Sequence, residues 1–397
     1  MAILHNAARW LLTGLMALAL GSAALAQVSA SGPGPLGDAE AGPVVRHHAL
    51  LVHAAYADTL AAALVLQQAI EALVAQPSAE RLEAARHAWR EAREWYGQTE
   101  AFRFYGGPID DAQGPEGRLN AWPLDESYLD AVEGKPDSGL INQPQFPITA
   151  ASLIRAQERD GEENISTGWH AIEFLLWGQD RSATGPGDRP YQDFVDGQAA
   201  NAQRRRQYLS VVTGVLVDDL RTLEQAWAPG ADNYRARFEQ GGQESVRKML
   251  IGLGSLSRGE LAGERLEVAL STQNQEDEQS CFSDNTHRDV VADALGIENV
   301  WLGRYRQRSG PLLEGPGLQA LVAARQPALA ARTTAQIAES LAWAERIPAP
   351  FDQAILQGSA GRPVIEHTIQ SLTLQARWLA QSAAALGITH LTTAPRH

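Results

Sequence analysis

Apolar side chains recur every three to four residues along most of this 397-residue chain, and strand-like alternation is almost absent. Leu50, Ala54, Ala57, Ala61, Leu64 and Leu73 keep that spacing up to Pro77, and Leu82, Ala85, Trp89, Ala92 and Trp95-Tyr96 keep it beyond. Helical geometry gathers such residues onto one face, which must be buried against another helix. A further long helix is predicted from about Asp193 to Trp227. Breaks fall at Gly106-Gly107-Pro108, Pro229-Gly230, Gly310-Pro311 and Pro348-Pro350. The pattern predicts an all-α protein of two packed helical bundles, residues 44–229 and 230–388, with a tail over 389–397. The length agrees, because single cores stop growing beyond roughly 250–300 residues. A ligand site is expected near the seam between the bundles.

The first residues follow a different logic. Arg9, the apolar run Trp10 to Leu20, and Ala24-Leu25-Ala26 have the three-part layout of a secretory signal peptide over 1–26. Residues 27–43, rich in Gly and Pro, read as a flexible lead. No Cys follows the cleavage site, so a lipid anchor is not indicated, and the product is expected in the periplasm. The only Cys is Cys281, which rules out an intrachain disulfide and is expected to be buried. A net charge of −14 argues against a nucleic-acid partner.

The sharpest motif is Gly168-Trp169-His170-Ala171-Ile172-Glu173-Phe174. His170 and Glu173 are three apart on a predicted helix, so one face presents an imidazole and a carboxylate. Such a pair suits metal ligation, and Gly168 permits a close backbone approach. A plain His–Glu hydrogen bond fits the spacing equally well. The zinc-protease pattern HExxH is absent, since Phe174 stands where its second His would fall. Upstream, Glu100 and Asp110 frame a Gly-Pro turn, where they either face a cleft or serve locally, Glu100 pairing with Arg93 or Arg103 and Asp110 capping. Downstream, Gln275 to His287 packs four carboxylates and a His into a short loop, either as solvated acids and a helix cap or as a cation site without EF-hand spacing.

GWHAIEF resembles the GxHxxE signature of the imelysin-like proteins, also catalogued as a peptidase family. The similarity continues in WxxAR, ExFRFxxGPID, WPLDExY, AGERLEVAL, QEDEQSCFSDNTH and PFDQAI, in order across most of the chain. The later blocks are most similar to the family's iron-regulated branch, in which a His often stands where this chain has Gln279. The resemblance implies two four-helix bundles, export, a tie to bacterial iron uptake, and a site centred on His170 and Glu173. It also implies Glu100 and Asp110 as further carboxylate ligands.

Three functions follow for testing. The first is an exported protein of iron acquisition, binding iron or another divalent metal, zinc included, or an iron chelate, through His170, Glu173, Glu100 and Asp110. Other iron-uptake components at the membrane would be its partners. The second is a zinc-dependent metallopeptidase, which needs three protein ligands and an open position. The third is a non-catalytic scaffold or interaction protein in which the motif only fixes packing.

Overall fold

Pro77 and Ser78 separate the first two helices, and the cap explains where the second begins. Ser78 accepts a hydrogen bond from the Arg81 N–H at 3.3 Å, satisfying one of the free amides of that first turn. The structure, a computed structural model, describes residues 34–391. The signal peptide expected over 1–26, positions 27–33 of the lead and positions 392–397 of the tail lie outside the described residues. The longer helices are α1 (Asp38–Ala75), α2 (Ala79–Gly97), α3 (Gly168–Trp177), α4 (Ala202–Ala226), α5 (Gly242–Ser255), α6 (Thr286–Leu302), α7 (Pro327–Ala344) and α8 (Arg362–Ala385). Short helical turns and loops join them.

The stripe predicted for α2 is buried, with Leu82, Ala85, Trp89 and Ala92 closed to solvent. In α1 the buried face is mostly a different one. Val52, Ala55 and Leu66 are closed to solvent together with Leu73 of the predicted stripe, whereas Leu50 of that stripe is exposed and Ala54, Ala57, Ala61 and Leu64 are only half-buried, because α1 is apolar on more than one side and packing selects the face. Helix α1 packs on α2, α4 and α5; α3 sits against α2 and α4; α6 touches α2 and α7; α7 and α8 pair. These contacts run across Pro229-Gly230, and residues 34–391 belong to one compact unit. Truncating a buried Trp such as Trp89 to Ala would cost about 3–5 kcal/mol. The fold is all-α, as the periodicity predicts. The one small sheet among the described residues is the antiparallel hairpin β1 (Arg304–Arg306) and β2 (Leu312–Glu314), with Tyr305 opposite Leu313.

Two boundaries differ from expectation. The lead expected to reach residue 43 is helical from Asp38, because Glu40 accepts from the Gly37 N–H at 3.0 Å and Ala41 is already buried. The helix expected from Asp193 starts at Ala202: Gly197 and Asn201 adopt left-handed backbone (φ 79° and 55°), which a helix cannot accommodate. A third feature was not legible. Helix α5 continues as a π-helical stretch over Leu256–Glu267, a rare winding that carries Arg265 into the interior.

Candidate functional site

Helix α3 begins under tight local constraint. Gly168 has φ +88°, and a Cβ there would lie 2.5 Å from the Leu119 carbonyl oxygen and 2.6 Å from that of Arg118. Only glycine meets both demands without strain. Its first turn therefore lies against the 118–119 backbone, and this sets the position of His170 one residue on from Trp169. Trp169 is itself fixed: its carbonyl accepts from Trp89 Nε1 at 3.0 Å, and its ring lies beneath the Arg93 guanidinium.

His170 and Glu173 meet as their spacing predicts, with Nδ1 of the ring 2.8 Å from Oε2 of the carboxylate. The other carboxylate oxygen, Oε1, accepts from the Ser283 N–H at 2.9 Å and from the Ser283 hydroxyl at 2.6 Å. Both side chains are buried. Burial pushes the Glu173 carboxyl up to about 8 against the Ser283 hydrogen bond. Burial, followed by the nearby positive charge of Arg93, holds the imidazole well below its ordinary value, so His170 is neutral at pH 7. Its Nε2 has no hydrogen-bond partner and no contact with solvent.

Around this unit lies a buried ionic network that joins the two halves of the chain. Arg93 donates to Asp289 Oδ1 at 3.0 Å and to Asn120 Oδ1 at 2.6 Å. Ser280 hydrogen-bonds the other Asp289 oxygen. Arg265, on the π-helical stretch, reaches Glu100 and Asp293, each at 2.5 Å. Asn120 also lines an acidic cleft of about 540 Å³, with Arg103, Glu116 and Glu260 on its walls.

The four residues singled out as ligands do not converge. Glu100 is buried, but its Oε2 is shared by Arg103 and Arg265, both at 2.5 Å. Burial alone would raise its carboxyl; the two guanidiniums outweigh that and hold it at about 2. Asp110 caps its own turn, accepting from the Phe104 N–H and, at 2.7 Å, from the Gly107 N–H. The local alternative therefore holds for the Glu100–Arg103 pair, while Arg93 turns to Asp289 and Asp110 caps its own turn rather than the next segment. Among the described residues, no three His, Cys, Asp or Glu side chains are placed to hold one metal ion. Gln279 is buried with both amide atoms unpaired. Cys281 is buried, as expected, and its thiol is pushed up by that burial. Sequence reasoning missed Ser283, Asp289 and Arg265 as site residues, although each lies in or just after a block noted for other reasons.

The family model described as Imelysin (Peptidase M75) matches residues 52–379. The chain belongs to the imelysin family. Among curated proteins, it is 29% identical to iron-regulated protein A of Synechococcus elongatus over 307 residues, covering 75% of this chain and 73% of that one. A crystal structure described as an iron-regulated protein A precursor from Parabacteroides distasonis superposes with a TM-score of 0.67 at 20% identity, covering 91% of this chain and 96% of the other. An imelysin-like protein from Psychrobacter arcticum gives 0.65 at 15% identity, over 89% and 98%. This imelysin-family chain thus shares its helical fold with both solved structures, and GxHxxE is the motif on which its buried polar site is built.

Proposed function

We propose that this imelysin-family protein is an exported component of bacterial iron acquisition that binds its cargo without transforming it, with His170 Nε2 as the donor to iron. The observation that supports the reading is one nitrogen: buried, unpaired, and on a ring whose other nitrogen is fixed by Glu173, itself fixed by Ser283. A carboxylate behind an imidazole is the usual way to orient a metal-ligating His, and ligation here requires Glu173 to give up its proton, so that Nδ1–H donates to it and Nε2 offers a lone pair. In this arrangement Glu173 is a positioning residue rather than a second ligand. Glu100 and Asp110 are spoken for by guanidiniums and backbone amides. The remaining coordination positions must therefore be filled by waters or a small chelator that comes with the iron. Oxygen ligands also suit Arg93 and Arg265, whose positive charges act on His170 and oppose a bare ion. Asn120, which accepts from Arg93, also lines the acidic cleft, whose carboxylates attract cations to that face.

A resident zinc for peptide hydrolysis does not fit these residues, since a catalytic zinc needs three protein ligands and no such group is assembled among the described residues. The test is titration of the purified protein with Fe²⁺ and with ferric citrate, read by calorimetry and elemental analysis. Wild type should bind about one equivalent, and His170→Ala should bind none while keeping its helical circular dichroism. Equal binding by His170→Ala would refute the proposal. Metal-dependent peptide cleavage that disappears in Glu173→Gln would replace it with the peptidase reading.

A further inference from the structure

Buried carboxylates in this protein are, with few exceptions, matched by arginine. Asp130 meets Arg189 and Arg205, Glu100 meets Arg103 and Arg265, Asp289 meets Arg93, and Asp293 meets Arg265. The cleft beside Asn120 breaks that pattern. Four separate segments wall it: the turn 116–123, the loop 158–162, the π-helical stretch with Glu260 and Glu264, and the loop at Asp277. Six carboxylates line it against a single arginine, Arg103. Glu116 takes Arg103 at 2.7 Å, and Glu260 takes Arg265 at 2.9 Å. Glu158, Glu162, Glu264 and Asp277 form no ion pair among the described residues. The first three stand exposed at the rim, and unmatched like charges around a concave wall focus a negative potential into it.

The floor has the opposite need. Asn120 is 2% exposed; its Oδ1 accepts from Arg93, and its Nδ2 has no acceptor. Arg103 is buried too, with Nη1 on Glu100, Nη2 on Glu116, and an Nε that has no acceptor. Trp122 adds a half-buried aromatic wall. A matching ligand therefore brings positive donors to the rim and an acceptor oxygen to the floor. A metal ion offers those N–H groups no acceptor, and a polyamine only donates. A basic stretch of polypeptide supplies both, with charged side chains for the carboxylates and backbone carbonyls for the N–H groups.

We propose that this cleft docks a basic, arginine-bearing segment of a partner protein, its side chains on Glu158, Glu162 and Glu264 and a backbone carbonyl on Asn120 Nδ2. Arginine suits the site better than lysine, because a guanidinium pairs with carboxylates through two bonds and stacks on an aromatic face such as Trp122. The cleft's volume of about 540 Å³ lies within the roughly 300–1,000 Å³ of sites that enclose small ligands, so it takes a short segment rather than a folded surface. Asn120 also holds Arg93, which pairs with Asp289 in the network around His170. A docked segment thus touches that network, although the docking itself does not depend on iron.

The experiment uses the full chain and the peptide Gly-Arg-Gly-Arg-Gly with both ends blocked, titrated by calorimetry at low salt. Saturable binding of one peptide per chain is expected, weakening as salt is added. The variant Glu158→Gln/Glu162→Gln/Glu264→Gln, altered only at exposed positions, should bind about tenfold more weakly or worse. Glu71→Gln/Asp232→Asn/Glu339→Gln removes the same charge from exposed positions outside the cleft and should bind as wild type does. Spermidine, which lacks acceptors, and free arginine, whose carboxylate the rim repels, should both bind more weakly than the peptide. No saturable binding, wild-type binding by the cleft variant, equal losses in the two triple variants, or spermidine or free arginine binding as tightly as the peptide would each overturn the proposal.

Discussion

Replacing Gly168 with alanine tests whether the GxHxxE glycine is a backbone requirement or a bystander. Two costs can be worked from the structure. At φ +88° an L side chain sits in left-handed space, which costs about 1–2 kcal/mol. Its Cβ would also lie within 2.6 Å of two carbonyl oxygens, and relieving that contact by moving backbone costs roughly 1–3 kcal/mol. The sum, about 2–5 kcal/mol, corresponds to a fall in melting temperature of roughly 4–10 °C for a chain this long. Because the first turn must lift off the 118–119 backbone, His170 moves with it, and iron binding should weaken together with stability. The control is Gly214→Ala inside α4, where a new Cβ meets nothing within 4 Å. Helix propensity alone favours that change by about 1 kcal/mol. Paired thermal melts of the two variants read the difference directly. A Gly168→Ala protein that melts at or above wild type, or a Gly214→Ala protein that falls as far, would refute the argument.

Two further outcomes are expected. Arg93→Met leaves Asp289 buried without a counter-charge and should cost about 3–5 kcal/mol in urea unfolding, with partial recovery in Arg93→Met/Asp289→Asn; an additive double mutant would show the pair to be uncoupled. Glu126 is pushed up to about 7, first by burial and then by Glu276, from an ordinary 4.5. A folded value above the unfolded one means the native state holds a proton the unfolded state releases, so stability falls as pH rises from 4.5 to 7. After allowance for solvent screening, Glu126→Gln should exceed wild type by roughly 1 kcal/mol at pH 8 and match it at pH 4; a difference that does not change with pH would contradict this.

How much of the site could be read from sequence depended on chain separation. His170 and Glu173 are three residues apart on a helix, and local geometry alone brings them together. Ser283 reaches Glu173 across 110 residues, Asp289 reaches Arg93 across 196, and Arg265 reaches Glu100 across 165. No periodicity carries those pairings, because helix packing decides them. The all-α fold was legible for the opposite reason: amphipathic stripes are local signals, and α2 buries the residues its spacing selects, whereas α1, apolar on more than one side, buries a neighbouring face. Asp110 went astray through competition. Beside Gly106-Gly107 its carboxylate has two backbone N–H groups within reach, and an Asp at such a turn is captured locally before it can face a cleft.

The arginine pairing of buried acids also ranks which carboxylates are open to a cation. Glu100, which the family resemblance offered as a ligand, is already bound by two guanidiniums. For it to coordinate a metal, Arg265 or Arg103 must give up a buried partner, at about 3–5 kcal/mol. That is a penalty of a hundred- to several-thousand-fold in affinity. Glu278 carries no such obligation, since no arginine stands beside it. A cation therefore gains little at the Glu100 turn, where the buried negative charge is already matched. His170 is open on the same reasoning: its Nε2 is the one atom of the GxHxxE pair that no neighbour has claimed. Arg265→Met leaves Glu100 its Arg103 pair but strips the buried Asp293 of its guanidinium partner, so it should cost about 3–5 kcal/mol in urea unfolding and add no bound metal equivalent; a new bound equivalent in that variant would refute the ranking.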